Sequence, residues 1–431
     1  MNLEPSSLTS GRPDRGSIEL LAPVGSLESL AAAIQGGADA VYFGAGRLNM
    51  RAKSTRGLGP DDIATVVRRS HQAGRRAYLT LNTILYDDDL PQLRALAAAA
   101  AAAGVDAVIA SDIAALQYCR SLGLTVHAST QLNISNIEAV RFYAQWVDVA
   151  VLARELTLEQ VSRIAAAIRE QAIRGPGGQL VRLEIFVHGA LCMAVSGKCY
   201  LSLHEYNLSA NRGSCVQVCR RAYEVRDRDS DDVLAIDNEY IMSPKDLCTV
   251  QFLNKIIDAG VSVLKIEGRA RAPEYVKTVC SVYDEALRAL ADGSYGQAAA
   301  PDSPVLAGWR QRLGSVFNRG FWDGYYLGQC LGEWSSVYGS ASTIEKVYVG
   351  KVTNYYHQAG TIELLVENEP VAPGDQVMFL GPTTGVHELV LPGLQLDGVA
   401  LAVAERGQSI TFKVEGRIRR ADKLYKLVER A

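Results

Sequence analysis

Four cysteines in one short segment are the residues of this sequence best suited to chemistry. Cys192 and Cys199 are separated by six residues, and Cys215 and Cys219 by three. Four thiolates are the ligand set of a [4Fe–4S] cluster or of a structural zinc ion. Zinc sites favour cysteine pairs with two to four intervening residues, so the wide first pair favours the larger cluster. We therefore predict a [4Fe–4S] site at these four cysteines, with zinc as the alternative.

The residues around the cysteines favour ligation over burial in a core. Gly197 and Gly213 allow close wrapping of the backbone, and Lys198 and Arg220 offset thiolate charge. Single cysteines often act as small apolar core residues, but four together beside glycines and cations are not expected there. Cys248, in SPKDLC at the predicted start of a helix, is expected to be such a core cysteine.

The cysteines are expected to interrupt a repeated strand–helix pattern. Four related segments each place a buried strand after an Ala/Leu-rich helix: GGADAVYFGAG, AGVDAVIASD, AQWVDVAVLARE and AGVSVLKIEG. Further strands are predicted at residues 18–22, 76–82, 124–127 and 182–187. These units predict an α/β fold, a TIM-like (β/α)₈ barrel. An open doubly wound sheet is the alternative, disfavoured because no glycine-rich dinucleotide motif follows the first strand.

Polar residues follow the predicted strands at their C-terminal ends, where the active sites of such barrels lie. The candidate substrate-binding residues are Asn82, Gln131, Arg154, Lys265 and Arg269. The candidate catalytic residues are His188, Glu184 and Glu267. The cations suit an anionic small molecule, whereas helix caps and loop polar groups are the alternative interpretation of each residue taken singly.

The composition changes along the chain predict further parts. Residues 1–17 are expected to be a disordered N-terminal tail, 18–293 the barrel with the cysteine-rich insertion at 188–240, 294–340 a linker and connecting segment packed on the barrel, and 341–431 a small all-β barrel. Within the insertion, RDRDSDDVLAIDNE is predicted to form a solvated turn or hairpin.

The overall charge limits the expected partners. Lys and Arg number 44 and Asp and Glu 47 in the 431 residues, giving a net charge of −3, so a nucleic acid would have to bind a local basic patch. Residues 417–430 and the cations near the cysteines are the candidates. No apolar run is long enough for a membrane span and no signal peptide is recognised, so a cytoplasmic protein is expected. The sequence contains no H-E-x-x-H, G-x-S-x-G or Walker motif.

Several long motifs together resemble a known family. They are ELLAPVGSLESL, LEIFVHGALCMAVSGKCYLS, NRGSCVQVCRRAYEV, YIMSPKDLC and LKIEGRARAPEYV, and the resemblance runs from Glu19 to about Tyr326. The chain is similar to the collagenase-like peptidase U32 family. Despite that label, the resemblance implies oxygen-independent hydroxylation with a [4Fe–4S] cluster held by Cys192, Cys199, Cys215 and Cys219.

The predicted domain arrangement is most similar to the tRNA branch of that family, because a single small β-barrel follows the catalytic barrel. This resemblance implies formation of 5-hydroxyuridine at the wobble position, with tRNA as partner and prephenate as the source of the hydroxyl group. Arg154, Lys265 and Arg269 would suit the carboxylates of prephenate. The alternatives are a U32-type peptidase, or a hydroxylation factor for rRNA or ubiquinone.

Overall fold

Short apolar strands alternate with helices through the first two thirds of the chain. The computed structural model describes residues 14–53, 57–223, 240–329, 332–416 and 418–430. The first sheet contains β1 (Glu19–Val24), β2 (Ala40–Phe43), β3 (Arg76–Leu81), β4 (Ala107–Ala110), β5 (Val126–Ala128), β6 (Val149–Val151), β7 (Arg182–Ala190), β8 (Asp246–Cys248), β9 (Val263–Ile266) and β10 (Phe321–Trp322).

Eight of these strands close a parallel barrel. Strands β1 to β7 pair in chain order, and β9 pairs in parallel with both β7 and β1. The eight predicted strands are these eight, so the TIM-like barrel is confirmed. Strand β8 lies outside the closed barrel, because it pairs antiparallel with the last residues of β7 and in parallel with β10. Cys248 ends β8 instead of starting a helix, and it is buried as expected.

The helices of the described residues are α1 (Leu27–Gln35), α2 (Ile63–Gln72), α3 (Leu90–Ala103), α4 (Ile113–Ser121), α5 (Ile137–Tyr143), α6 (Leu158–Glu170), α7 (Leu201–Tyr206), α8 (Leu253–Asp258), α9 (Pro273–Asp292), α10 (Tyr295–Ala298) and α11 (Pro304–Gly314). Most of them lie around the outside of the barrel. Helix α7 lies in the cysteine-rich insertion, and α10 and α11 pack on α9. Among the described residues, no helix combines the length and apolar character needed to cross a bilayer.

The residues directly before the barrel are ordered, although they belong to the predicted N-terminal tail. Residues 1–13 of the predicted tail lie outside the described residues, but Arg15–Ser17 forms a 3-10 turn. The Arg15 guanidinium pairs with Asp39 at 2.9 Å and with Asp284 at 2.8 Å. These ion pairs fix the start of the chain to α9, so the end of the predicted tail is ordered.

The segment predicted as a linker is packed on the barrel where the structure describes it. Tyr295 is buried in α10, and its hydroxyl donates to the Val250 carbonyl at 2.6 Å and accepts from the Leu253 amide at 2.7 Å. The start of the segment is therefore held against the barrel, which its linker composition does not indicate. The predicted hairpin RDRDSDDVLAIDNE lies almost entirely at residues 224–239, outside the described residues.

The C-terminal residues form a second, antiparallel sheet with its own core. Its strands are β11 (Ile344–Tyr356), β12 (Thr361–Val366), β13 (Gln376–Gly381), β14 (Gly385–Val390), β15 (Leu394–Leu396), β16 (Val399–Leu401), β17 (Ser409–Lys413) and β18 (Lys423–Glu429). They pair in the order β14, β13, β18, β11, β12, β17, β15, β16. Alternate residues such as Ile362, Leu364 and Val366 are buried, which gives this all-β domain a separate apolar cluster.

The all-β domain docks on the barrel through β14. The Gln35 side chain at the end of α1 donates to the Thr384 carbonyl at 2.8 Å and accepts from the Val386 amide at 3.0 Å. Val386 and Met378 belong to the core of the barrel and not to that of their own domain. This contact brings one face of the sheet against the outer helices α1 and α9.

Candidate functional site

A small polar cavity opens at the C-terminal ends of the barrel strands, with a volume of about 80 Å³. We call it the cation cavity. Its lining residues are Tyr42, Met50, Arg51, Thr80, Asn82, Ile109, Ser129, Thr130, Gln131, Arg154, Phe186, Cys192, Ser196, Gly197, Lys265, Glu267 and Arg269. All five residues predicted to bind substrate therefore line one cavity.

Lys265 lies at the base of the cation cavity, on β9. Its Nζ is 2.6 Å from Oε1 of Glu184 on β7, and it lies 4.6 Å from the centre of the Tyr42 ring. Burial lowers the pKa of Lys265, while the Glu184 carboxylate raises it in part. Burial likewise raises the pKa of Glu184, and Lys265 opposes that change. The pair holds an ammonium group against the cavity in a site that excludes water.

Two arginines add positive charge above Lys265. Nη1 of Arg269 donates to Thr80 Oγ1 at 2.6 Å and to Asn49 Oδ1 at 3.1 Å. Burial lowers the pKa of Arg269 to about 10, so the guanidinium is still charged at neutral pH. The Arg154 guanidinium lies 3.7 Å from the centre of the Phe186 ring and donates to the Ala190 carbonyl at 2.9 Å. Both side chains are thus held in place before any ligand binds.

Arg51 and Glu267 form a second ion pair at the cavity, 2.7 Å apart. Burial alone would raise the pKa of Glu267, but the charges of Arg51 and Arg271 outweigh it and bring the pKa to about 2. Glu267 is therefore a carboxylate at neutral pH. The Lys265–Glu184 pair has no net charge whichever partner holds the proton, so Arg51, Arg154 and Arg269 against Glu267 leave the cavity with an excess of two positive charges.

The opposite wall of the cavity carries neutral hydrogen-bonding groups. The Asn82 amide nitrogen donates to Ser129 Oγ and to Gln131 Oε1, each at 3.1 Å. The Met50 backbone amide donates to Asn82 Oδ1 at 3.2 Å. These contacts orient Asn82 and Gln131 toward a ligand that the cations would hold.

The three predicted catalytic residues lie at three different places relative to the cation cavity. Glu267 lines the cavity, whereas Glu184 lies beneath it and contacts it only through Lys265. His188 is buried away from it, with its ring 5.6 Å from the rings of Tyr283 and Phe321. Burial lowers the pKa of His188 to about 3, so the imidazole is neutral. Its position in this aromatic cluster does not support the predicted catalytic role.

Arg51 is a charged residue of the cavity that was not predicted from the sequence. It follows β2 in a loop without periodicity, and its sequence context, NMRAK, gives no motif. A polar loop at the C-terminal end of a barrel strand was the one available signal. The loop is fixed by the cysteine-rich insertion, where Gly213 has φ +81° and a Cβ would lie 2.3 Å from the Asn49 carbonyl oxygen. Only glycine allows this close approach.

The cysteine-rich insertion covers the mouth of the barrel and reaches the cation cavity. Cys192, Ser196 and Gly197 line the cavity. The Asn133 side chain, on the opposite rim, donates to the Ser196 carbonyl at 3.1 Å. The insertion is thereby hydrogen-bonded to the loop after β5, and one of the four predicted ligands faces the cations.

The four predicted ligand cysteines are free thiols. Cys192 is exposed, and Cys199, Cys215 and Cys219 are partly exposed. Burial raises the pKa of Cys219 most, Arg220 lowers it, and the charges of the other three cysteines each raise it further. The other three thiols therefore lie within electrostatic range of Cys219.

Arg220 connects the two halves of the cysteine segment. Its guanidinium donates to the Leu191 carbonyl, next to Cys192, and to the Pro244 carbonyl at 2.8 Å and Ser243 Oγ at 3.0 Å. The residue beside Cys219 thus holds the chain that carries Cys192. This contact brings the first and last cysteines of the set to the same side of the barrel.

The structure shows no closed single-ion site at the predicted ligand cysteines. Among the described residues, no three His, Cys, Asp or Glu side chains converge tightly enough for one metal ion. Tetrahedral zinc would require thiol sulfurs about 4 Å apart, from Zn–S bonds of about 2.3 Å. A [4Fe–4S] cluster at these cysteines stays a prediction.

The predicted basic patches are partly occupied by internal contacts. In residues 417–430, Lys426 pairs with Asp375 at 2.8 Å and Arg430 approaches Glu345 at 3.8 Å, while the Tyr425 ring packs against the barrel core. Arg417 lies outside the described residues. Near the cysteines, Arg221 pairs with Glu205 at 2.6 Å. These ion pairs reduce the charge available to a nucleic acid from either patch.

Comparison with known proteins agrees with this architecture. The signature of "Peptidase family U32" matches residues 25–336, which include the cysteine insertion and most of the cation cavity. The chain belongs to this family. It is 51% identical over 412 residues to a protein named collagenase from Porphyromonas gingivalis, covering 96% of this chain and 98% of the relative.

Other relatives of the chain have names that refer to RNA modification. The chain is 33% identical over 378 residues to tRNA hydroxylation protein P1 of Bacillus subtilis, covering 84% of this chain and 83% of that protein. It is 35% identical over 320 residues to a 23S rRNA 5-hydroxycytidine synthase of Escherichia coli, covering 73% of this chain and 46% of that protein. The family thus includes RNA-hydroxylating proteins as well as proteins named as peptidases.

Proposed function

We propose that this U32 protein is an iron–sulfur-dependent, oxygen-independent RNA hydroxylase. Its substrate would be the wobble uridine of tRNA, converted to 5-hydroxyuridine. The observation that carries the proposal is that Cys192 lines the same cavity as Arg51, Arg154, Lys265 and Arg269. A redox cofactor and an anion-binding site would therefore adjoin each other at the open end of the barrel.

The thiols of Cys192, Cys199, Cys215 and Cys219 would hold a [4Fe–4S] cluster, whose chemistry when bound is one-electron transfer. The protein's own contribution is to hold these thiols near one another and to place cations beside them. Arg220 fixes the chain at both ends of the set through its contacts with Leu191 and Pro244.

The cation cavity would bind the carboxylates of a small dicarboxylate, with prephenate as the proposed hydroxyl source. Arginine forks match carboxylates in two hydrogen bonds, and Lys265 supplies a point charge from below. At about 80 Å³ the cavity is smaller than the ~300 Å³ typical of small-molecule sites, so prephenate requires movement of the loop that carries Met50 and Arg51. Breaking the Arg51–Glu267 pair would free Arg51 for the ligand.

A peptidase is the competing function, favoured by the name of the relative from Porphyromonas gingivalis. A hydrolase of this kind needs an activated nucleophile beside a base. The described residues that line the cation cavity include Ser129, Thr130, Ser196 and Cys192 but no histidine. Its one lining carboxylate, Glu267, has its pKa lowered to about 2 and is paired with Arg51, so it is a weak base.

Nucleoside analysis of cellular RNA tests the proposal. A strain lacking the gene should lose 5-hydroxyuridine-derived nucleosides from its tRNA, and the wild-type gene should restore them during growth without oxygen. Cys192→Ala should not restore them, whereas Cys119→Ala should, because Cys119 is buried in α4 away from the insertion. Loss of 5-hydroxycytidine from rRNA instead would reassign the substrate. Unchanged RNA together with lost quinone synthesis or lost proteolysis would refute RNA hydroxylation.

A further inference from the structure

A second, larger concavity lies on the far side of the loop of residues 47–53 from the cation cavity. We call it the side groove. Its volume of about 500 Å³ falls within the ~300–1,000 Å³ of small-ligand sites. Met50 and Arg51 line the cation cavity, while Leu48 and Ala52 line the side groove, so one short loop separates the two. The other lining residues of the side groove are Arg47, Lys53, Thr83, Tyr86, Asp89, Leu203, Asn207, Leu208, Ser209, Arg212 and Ser214.

Thr83 provides a hydrogen-bonding group that the protein itself does not use. Its side chain is 2% exposed and lines the groove, and within the part of the chain that the structure describes its Oγ1 has no hydrogen-bond partner. A buried hydroxyl without a partner is unfavourable, so its retention at a groove wall points to a ligand that completes it. Thr83 also directly follows Asn82, which lines the cation cavity.

Tyr86 provides an aromatic surface at the groove. It is 60% exposed, and the Arg212 guanidinium lies 3.8 Å from the centre of its ring. Arg212 is held there by Asp89 Oδ2 at 2.7 Å and by the Ile84 carbonyl at 3.1 Å. An exposed aromatic ring beside an ordered arginine is the arrangement on which nucleobases stack.

Cations at the edge of the side groove suit a phosphate. Arg47 has a side chain that is 68% exposed and 3.5 Å from Asp89 Oδ1, and Lys53 is exposed on the same loop. With Arg212, three cations line the groove against the single carboxylate of Asp89, so a positive charge remains for a phosphodiester. The apolar side chains of Leu48, Leu203 and Leu208 complete a surface for a flat base.

We propose that the side groove binds one nucleotide of the substrate RNA, adjacent to the nucleotide that is hydroxylated. The base of this nucleotide stacks on Tyr86, and its base edge or ribose hydroxyl forms a hydrogen bond with Thr83 Oγ1. Its phosphate contacts Arg47 and Lys53. The neighbouring target base then lies across the loop of residues 47–53, at the cation cavity. This inference rests on the proposed function, because it requires an RNA substrate.

Binding of a labelled RNA to the iron-loaded protein tests the side groove. The probe is a fluorescein-labelled anticodon stem–loop with an unpaired wobble uridine, followed by anisotropy under anaerobic conditions. Tyr86→Ala should weaken binding about 5- to 100-fold, from the loss of base stacking. Thr83→Val should weaken it about 2- to 10-fold without lowering the melting temperature, because the hydroxyl makes no hydrogen bond with any residue that the structure describes. Phe142→Ala on α5, also an exposed aromatic at 50%, is the matched control and should bind as wild type does.

The outcomes separate the groove from the proposed function. Wild-type binding that both groove variants weaken, with unchanged iron content, supports the inference. If the wild type binds and hydroxylates RNA and the variants do so equally well, the groove assignment is overturned while RNA hydroxylation stands. If the wild type binds no RNA, or a collagen-like peptide displaces it, both the groove and the proposed function are refuted.

Discussion

Replacing Lys265 by methionine should destabilise the barrel strongly, although Lys265 lies at a functional site. The substitution leaves the carboxylate of Glu184, which is fully buried, without its 2.6 Å partner. Its second oxygen already has no hydrogen-bond partner among the described residues. Removing one partner of a buried ion pair costs about 3–5 kcal/mol. For a barrel of this size that corresponds to a melting temperature lower by about 5–15 °C.

The pH dependence of that loss identifies its cause. Burial raises the pKa of Glu184, and without Lys265 it should rise further. A carboxyl group whose folded-state pKa exceeds its unfolded-state pKa destabilises the protein once the pH rises above the unfolded value. The deficit of Lys265→Met should therefore shrink as the pH is lowered from 7 towards 5.

Anaerobic thermal melting of the cluster-free protein, with every variant in the same state, measures this effect. The double variant Glu184→Leu with Lys265→Met removes both charges, so its melting temperature should return to within a few degrees of wild type. It should still bind a dicarboxylate more weakly, because the ammonium group is lost from the cation cavity. A single variant as stable as wild type, or a double variant as unstable as the single one, would refute the assigned role of the pair.

Three further substitutions test the Glu267 carboxylate, the buried His188 imidazole and the contact of Gln35 with the all-β domain. Glu267→Gln should lower the melting temperature at pH 7. The Glu267 pKa of about 2 lies below the ordinary ~4.3, so the carboxylate stabilises the wild type at pH 7 and this stabilisation is lost as the pH falls from about 4.3 to about 2. In the variant, the melting temperature should therefore depend less on pH in that interval. In the wild type, the His188 pKa is about 3 in the folded state, so below about pH 6.5 the unfolded chain is protonated first and the free energy of unfolding falls by about 1.4 kcal/mol per pH unit. His188→Phe should abolish this pH dependence. Gln35→Ala removes both hydrogen bonds to the strand β14 region and should speed limited proteolysis between the two domains, as followed by fragment mass.

One control variant and the contradicting results complete these tests. Gln117→Ala on the exposed side of α4 should not change proteolysis, so equal cleavage of the Gln35 and Gln117 variants would contradict the docking role. For Glu267, a melting temperature that depends on pH as steeply as in the wild type would mean that another carboxyl group dominates. For His188, an unchanged slope below pH 6.5 would show that its imidazole is not neutral in the folded state.

The barrel and several residues of its cavity were predictable because both depend on local, repeated signals. Parallel strands buried on both sides are continuous apolar runs, and eight of them were recognisable. Their C-terminal ends meet at one rim, so Asn82, Gln131, Arg154, Lys265 and Arg269 could be grouped without knowledge of any contact. The clustering of the four cysteines is visible in the sequence, and their role as cluster ligands stays a prediction.

The errors arise where long-range packing overrides local sequence. His188 was expected at the rim, but β7 continues to Ala190 and pairs with β8, so its ring enters an aromatic cluster. The docking of β14 has no signal in the local sequence, because its buried end, including Val386, packs on the barrel and not on its own sheet's core. Tyr295 lies in a segment of linker composition, and its burial depends on carbonyl and amide groups more than forty residues away.

The central claim is that the four thiols and the cations serve one site, and spectroscopy of the reduced, iron-loaded protein tests it most directly. Because Cys192 lines the cation cavity, adding prephenate should change the electron paramagnetic resonance spectrum of the wild type. The change should be lost in Arg269→Gln, whose cluster content should equal that of wild type. A protein that binds no iron through these cysteines, or a cluster spectrum that stays unchanged while the dicarboxylate binds, would contradict the account.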